Sequence, residues 1–402
     1  MEAIILQHVS MFNQMAGPLF RELALEISER AESGGTLFTG HPDTLAYGTN
    51  IGSLRIHPMP AYERSSKSAR AFSWFAYTLS AFFQMMSLPK GSIMIIVSNP
   101  PTLGPLAWLA SILRGHRYFV LVYDLHPDTL VSFGSLSEHG LITRLWRSTN
   151  RLVWNRSEGV FTIGRRMAER LSKQFSPEIT ALARVEVVPP WADTESIRPR
   201  TRSENPLAKL FGVEDKTVVL YSGNMGYSHD INSILQAAEL LSEHSDICFL
   251  LIGEGAKWQE ANDFAQSKRL DNLKVLPFQS EERLPYTMSL ADISLVALDT
   301  GAEGLMIPSK TFFYMAAGSA VIAICHGESE LSDIIAEAQC GVSLSPGDPE
   351  RLAQAITALA GDKNRLKSMQ ENSRKYCLAH HARSSCAKGF VDKMSSALKK
   401  EN

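Results

Sequence analysis

Lys310 is an unusual residue for its position. In "IPSKTFFYMAAG" Pro308 pre-sets a turn, Ser309 falls where an N-cap is expected, and Lys310 lands in the first turn of a helix. A cation there opposes the helix macrodipole unless an anion lies between them. That conflict points to a bound phosphate-type group; the competing reading is a solvated surface lysine. Just upstream, Glu303 precedes Gly304, Leu305 and Met306, a carboxylate beside a glycine turn.

Two more turns in the second half have the same style. "VLYSGNMGYSHDI" runs from a strand through Gly223, Asn224, Met225 and Gly226 into a helix. Its glycines permit close backbone approach, and free N–H groups at a helix start favour an anion. A tight strand-to-helix turn explains the same letters equally well. "FLLIGEG" repeats the design at Gly253 and Gly255, but no third glycine completes a dinucleotide fingerprint. In the first half Gly17 precedes Pro18 at an N1 position. "YDLHPDT" ends an apolar strand with Asp124, His126 and Asp128. A carboxylate–imidazole cluster suits acid–base work, against the plainer reading of a capped loop with His126 satisfied locally.

Absences narrow the chemistry. There is no Asp-x-Asp to hold a diphosphate through a divalent metal, no G-x-x-x-x-G-K-[ST] and no G-x-S-x-G. An anion must then be held by amides, helix N-termini and Lys or Arg, and no metal or other cofactor is expected.

The elements that must position these residues alternate. Strands are expected at "AIILQ", "SIMIIVS", "YFVLVYD", "GVFTIG" and "RVEVVP", with helices over 18–31, 66–86, 105–114 and 140–155 between them. The second half repeats the scheme with "TVVLYSG", "ICFLLIG", "LKVLPF", "ISLVAL", "AVIAI" and "GVSLS". Near-continuous apolar strands with helical crossovers mean parallel sheets covered on both faces. The 402 residues exceed one ordinary core. The expected fold is therefore α/β, with two doubly wound, Rossmann-like domains facing across a cleft. Their bounds are read as 1–192 and 206–378, with a linker at 193–205 and a C-terminal helix at 379–402 returning to the first domain.

Composition fits a folded protein, with 45% hydrophobic and 20% charged residues. A net charge of −2 argues against nucleic acid as a partner. Residues 1–190 nevertheless carry 18 Lys/Arg against 14 Asp/Glu, a mild cationic bias toward an anionic surface. Five cysteines without C-x-x-C spacing suggest a reducing compartment and no zinc site. "MEAIILQHVS" lacks a signal-peptide pattern and reads as a first strand. The uncharged stretch from Ala71 to Pro89 is near spanning length yet rich in Ser, Thr, Gln and Tyr. It reads as a buried or half-buried helix, with a membrane-surface helix as the alternative.

Taken in order, "SNPPTLGPLAWLASILRGHRYFVLVYDLHPDT", "VVPPWADTESIRP", "YSGNMGYSHDI", "FLLIGEG" and "IPSKTFFYMAAGSAVIA" resemble the retaining glycosyltransferases of family 4, of GT-B fold. The likeness is to the branch of bacterial capsule and exopolysaccharide transferases, such as colanic-acid and fucosamine transferases. It implies a hexosyltransferase with a UDP-sugar as co-substrate, UDP-glucose by default. Backbone at Pro277 and Phe278 would meet the uracil. Gly17, Lys310 and Asn224, with Gly223, Met225, Gly226 and Ser309 around them, would grip the diphosphate. Glu303 and the amides of Gly304, Leu305 and Met306 would bind sugar hydroxyls, with His126, beside Asp124, meeting the sugar.

Three departures qualify that transfer. The family's second glutamate is replaced by Phe313, Glu303 is offset by two residues from the first, and the usual Arg and Lys of the 223–229 turn become Asn224 and His229. Arg144, Arg147 and Arg151 recur at helical spacing among Leu and Trp. Such a helix suits peripheral contact with anionic lipid and a polyprenyl-diphosphate-linked saccharide acceptor, or simply a solvated helix face. The expected location is cytoplasmic, at the inner face of the plasma membrane. The alternatives are a sugar-nucleotide epimerase or hydrolase on the same fold, and a non-catalytic sugar-nucleotide-binding partner.

Overall fold

The computed structural model describes residues 7–63, 65–175, 185–226, 229–298, 301–302 and 304–399. The chain divides into two compact units, Met1–Pro189 with Ser384–Asn402, and Pro190–Arg383.

In the first unit, eight strands form one sheet: β1 (Val9–Phe12), β2 (Gly35–Thr39), β3 (Asn50–Ile51), β4 (Leu54–Pro58), β5 (Ile93–Val97), β6 (Arg117–Val122), β7 (Gly159–Thr162) and β8 (Val185–Val187). Their order is β3-β4-β2-β1-β5-β6-β7-β8, parallel except for the β3–β4 edge pair. Helix α1 (Pro18–Arg30) leads from β1 to β2; α2 (Lys67–Ser87), α3 (Leu103–Arg114) and α4 (Leu141–Arg156) lead from β4 to β5, β5 to β6 and β6 to β7. The first crossover runs along the sheet in one direction and the other three in the opposite one. Right-handed crossovers therefore put α1 on one face and α2, α3 and α4 together on the other. Helix α1 forms where it does because Pro18 fits N1 and Phe20, Leu23, Ala24 and Ile27 make one buried stripe.

The first strand is "VSMF", not the expected "AIILQ": residues 1–6 lie outside the described residues, and Gln7 and His8 are not strand. The polar letter Ser10 disguised it, although that serine is buried with the rest. Strands β2 and β4 lack an apolar run in the sequence, since β2 reads "GTLFT" and β4 alternates buried with exposed residues beside the sheet's edge.

In the second unit, β9 (Thr217–Asn224), β10 (Ile247–Glu254), β11 (Leu273–Pro277), β12 (Ile293–Ala297), β13 (Ala320–Ile324) and β14 (Gly341–Leu344) form a parallel sheet in the order β11-β10-β9-β12-β13-β14. Apolar cores lie on both of its faces, which is why its strands read as unbroken Val/Ile/Leu runs. Helices α5 (Ile231–Leu240) and α6 (Trp258–Lys268) follow β9 and β10; α7 (Lys310–Ala316) follows β12, and α8 (Lys363–His380) packs against α7.

Residues 193–205, expected as a linker, are folded onto the second unit. The Arg202 guanidinium donates to the Leu290 carbonyl and the Asp292 carboxylate, and Arg200 stacks 4.7 Å over the Tyr286 ring. The expected helix over 379–402 starts later, at Arg383, because α8 continues to His380. From Ser384 the chain belongs to the first unit. There Phe390 packs on Phe161 with ring centroids 4.3 Å apart, and Lys393 donates to the Val187 carbonyl at 3.0 Å.

Candidate functional site

Among the parallel strands, each sheet reverses its order at one inner point, β1/β5 in the first and β9/β12 in the second. Ligands of open α/β sheets bind beyond the strand carboxyl ends at such points. In the second unit that point gathers Gly223 from the end of β9 and Lys310 from the helix that follows β12.

Lys310 is not a surface lysine. The residue as a whole is half-buried, but the exposure belongs to its other atoms: Nζ is sealed from solvent and has no hydrogen-bond partner. It lies 3.9 Å from the centroid of the buried Tyr221 ring, a cation–π contact that partly replaces lost hydration. Burial without a counter-charge lowers its pKa from 10.5 to about 7. An ammonium held this way lacks a negative partner.

The surroundings keep it there. Tyr314, on α7, accepts the Ser222 N–H at 2.6 Å and donates to the Ser222 carbonyl at 3.2 Å, tying the lysine's helix to β9. Tyr221 donates to the Asn224 carbonyl at 2.8 Å. Gly223 has φ +135, and a Cβ there would lie 3.3 Å from Lys310 Nζ. A Cβ on Gly253 would fall 1.9 Å from the Gly223 carbonyl oxygen, so both strand ends must be glycine to meet. Thr311 adds a buried hydroxyl with no partner one residue past the lysine.

Several expected donors are already spent. The Gly226 N–H goes to His229 Nδ1 at 3.2 Å, and the Met225 N–H to the Glu254 carbonyl at 2.7 Å. Met225 is fully buried and serves packing, so neither is a free anion ligand. The Leu305 N–H bonds the Ala302 carbonyl at 3.0 Å, which closes the turn that Gly304 makes at φ +67. This leaves Gly304 and Met306 as the available amides there. Ser309 sits at the cap position with helical backbone angles and no capping hydrogen bond. Glu303 lies outside the described residues. Asn224 is exposed at the end of β9, and its Oδ1 would be 2.5 Å from a Cβ on Gly255. At the end of β11 the Pro277 carbonyl accepts from the Gln279 side chain at 2.8 Å, while the Phe278 ring is 59% exposed.

In the first unit, Gly17 caps α1 with ordinary φ −73, and its N–H is taken by the Met15 carbonyl at 2.8 Å. A Cβ there would meet only His41, at 3.7 Å, so the fold itself does not require glycine. Beyond β6, Ser98 Oγ accepts the Tyr123 and Asp124 amides at 3.1 Å each, and Asn150 donates to the His126 carbonyl at 2.7 Å. These groups and Trp146, whose ring lies 5.8 Å from His126, line a cavity of about 30 Å³, room for about one water. Burial raises the Asp124 pKa and lowers that of His126, and each charge moderates the other's shift. His126 Nδ1 is buried without a partner. Asp128 acts on the pair through its charge alone, which also favours protonated His126; Arg147 and Gln174 hold its carboxylate. That pairing also removes Arg147 from the basic face expected on α4.

Sequence reasoning missed Tyr221, Tyr314, Ser98 and Trp146. For the two tyrosines the signal is a polar atom in the otherwise apolar runs "VLYSG" and "FFYMAAG".

A family model described as glycosyl transferases group 1 matches residues 204–376, and one described as glycosyl transferase 4-like domain matches residues 17–191. The chain is 28% identical over 302 residues to a probable glycosyltransferase, WbjE, of Pseudomonas aeruginosa, covering 73% of this chain and 74% of that one. It is 24% identical over 302 residues to a putative colanic acid biosynthesis glycosyl transferase, WcaI, of Escherichia coli K12, covering 72% of each. Its fold matches HepE of Anabaena, solved in complex with UDP and glucose, with a TM-score of 0.74 and 12% identity over 97% of this chain and 100% of that one.

Proposed function

Because the chain belongs to the family 4 glycosyltransferases of GT-B fold, we propose that it moves a hexose from a UDP-sugar, UDP-glucose by default, to a lipid-linked saccharide in envelope polysaccharide assembly. The colanic acid relative supports the polysaccharide setting, and the UDP and glucose bound by HepE support the donor. The observation that carries the reading is Lys310, a buried cation without a partner at the strand-order reversal of the second sheet.

A diphosphate brought to Lys310 and the Gly223 backbone supplies the missing charge. In the transfer step, the bond from the sugar's anomeric carbon to the phosphate oxygen breaks and the diphosphate keeps its electron pair. The acceptor oxygen bonds the anomeric carbon on the same face, and its proton passes to the departing oxygen, so configuration is retained. Stabilising that oxygen is the main catalytic contribution, and a lysine performs it without a metal. Phe278 offers a stacking face to the uracil. The amides of Gly304 and Met306, with Glu303, orient sugar hydroxyls, and the Asp124–His126 pair is the first unit's candidate for a polar role in transfer.

The test is calorimetric titration of UDP, UDP-glucose, UDP-galactose, UDP-N-acetylglucosamine and GDP-mannose, with and without EDTA, on wild type and Lys310→Ala. One UDP-sugar should bind, survive EDTA and be lost in the variant. Binding that disappears with EDTA would overturn the metal-free mechanism. Absence of binding by every UDP compound would overturn the donor.

A further inference from the structure

Among the described residues, sixteen large hydrophobic side chains are exposed, and ten of them lie on α2, α3 and α4. On α2 they are Phe72, Phe75, Leu79 and Phe83, one stripe at helical spacing, with Phe72 at 73% exposure. The opposite stripe of the same helix, Ser73, Tyr77, Ala81 and Met85, is buried. Helix α3 adds Ile112 and Leu113. Helix α4 adds Leu141, Ile142, Leu145 and Leu152, with Leu141 at 81%.

These helices share one face of the sheet, and α3 lies between the other two. Thr78 and Thr102 hydroxyls meet at 2.6 Å across α2 and α3, and Arg156 donates to Ser111 at 2.7 Å across α4 and α3. Gly104 of α3 is so close to α4 that a Cβ would lie 3.3 Å from Val153. The exposed residues thus lie on three neighbouring helices of one sheet face rather than being spread over the molecule, and apolar surface concentrated in this way marks an interaction site.

The charge on the three helices is of one sign. They contain seven Lys/Arg and no Asp or Glu. Arg70, Arg144 and Arg151 are exposed on them. Of the carboxylates nearby, Asp128 and Glu138 pair with Arg147 of α4 and Glu158 pairs with Arg117, while the exposed Glu63 lies before α2, its backbone N–H donating to Ser73 Oγ at 3.2 Å. No helix among the described residues is long and apolar enough to cross a membrane. A lipid surface accepts rigid aromatic and aliphatic side chains at its acyl boundary while its headgroups meet the arginines.

We infer that the α2–α3–α4 face of the first unit docks on an anionic lipid bilayer, inserting Phe72, Phe75, Leu79, Phe83 and Leu145 and setting Arg70, Arg144 and Arg151 among the headgroups. The surface gives the lipid-linked acceptor of the proposed function a physical meeting place, and in that sense rests on it.

The experiment is co-sedimentation of the full chain with vesicles of phosphatidylcholine alone and with 30% phosphatidylglycerol, the latter also at high salt. The expected result is binding only to the anionic vesicles, weakened by salt. Phe75→Ser/Phe83→Ser should reduce partitioning by about 10-fold or more, and Arg144→Gln/Arg151→Gln by about 5-fold per arginine. Leu378→Ser, an exposed leucine of the second unit, should change nothing. All these positions are on the surface, and circular dichroism checks that the variants fold. Wild type left in the supernatant with anionic vesicles would overturn the inference, as would binding indifferent to the phenylalanine pair. A dimer in solution that Phe75→Ser dissociates, without vesicle binding, would assign the face to a second copy instead. UDP titration of the same samples separates the two readings: wild type that binds UDP but not anionic vesicles sinks the docking face alone, and wild type that binds vesicles but no UDP sinks the donor reading alone.

Discussion

The strand-order reversal of the second sheet and the strand ends of the first place titratable groups differently. Around Lys310 the protein has removed water from an ammonium and supplied only the Tyr221 ring. Around Asp124 and His126 it has assembled Ser98 and Asn150 on neighbouring backbone groups, and it has tied off Asp128 with Arg147 and Gln174. One place holds a lone buried cation; the other holds a carboxylate and an imidazole that face each other on a backbone tied down by its neighbours, with His126 Nδ1 still without a partner. An uncompensated buried charge is a stability cost that a fold keeps only for a purpose, and binding an anion is the purpose that cancels it.

The largest expected effect tests that contrast directly. Lys310→Met should lower turnover by ~10²-fold or more while raising stability by about 1–4 kcal/mol, read from initial rates and chemical denaturation. A variant that is both inactive and less stable would mean that the lysine is a structural part, and the contrast would break.

Next comes pH. Lys310 titrates near pH 7 when free, whereas a bound diphosphate favours its charged form. UDP affinity should be flat below pH 7 and fall by up to about tenfold per pH unit above it. Titration in two buffers of different ionisation heat should register proton uptake. Folding has the opposite tendency: the unfolded lysine keeps its proton up to 10.5 and the folded one only to about 7. Its contribution to stability therefore rises between those values. UDP affinity that stays level through pH 9 would show the ammonium to be already paired.

Smaller again is Gly223→Ala. Its φ of +135 and the 3.3 Å approach to Nζ should cost about 1–3 kcal/mol of stability and about tenfold in UDP affinity. An unchanged Kd would show that the ligand does not need this strand end. The smallest effect sharpens the other side: His126→Asn should lower turnover about fivefold and leave UDP affinity within about twofold, since the charges that face its ring are Asp124 and Asp128 and not a donor phosphate. A large loss of UDP binding would move His126 to the donor.

Much of this was legible in the letters. Buried parallel strands announce themselves through unbroken apolar runs, so the second sheet could be read almost strand for strand. The first was harder, because "VSMF" carries a polar residue into the core and "LRIHP" faces the edge. Lys310 could be singled out by its clash with a helix start. Its burial could not, since that depends on Tyr221, 89 residues away in sequence but 3.9 Å away in space. The spent amides of Gly226, Leu305 and Gly17 were equally hidden. A glycine's letter says that backbone can come close, not which carbonyl or imidazole has already done so.

The helix Arg383–Lys399 has a consequence for how the molecule comes into being. It contributes Phe390 and Lys393 to the first unit, yet it is translated only after the whole of the second. On the ribosome, residues up to Pro189 therefore wait for their last packing element while Pro190–Arg383, contiguous in sequence, can close first. The usual order, in which N-terminal domains mature earliest, is reversed. During that interval the unfinished first unit, with its apolar helices, is the part that a chaperone would meet.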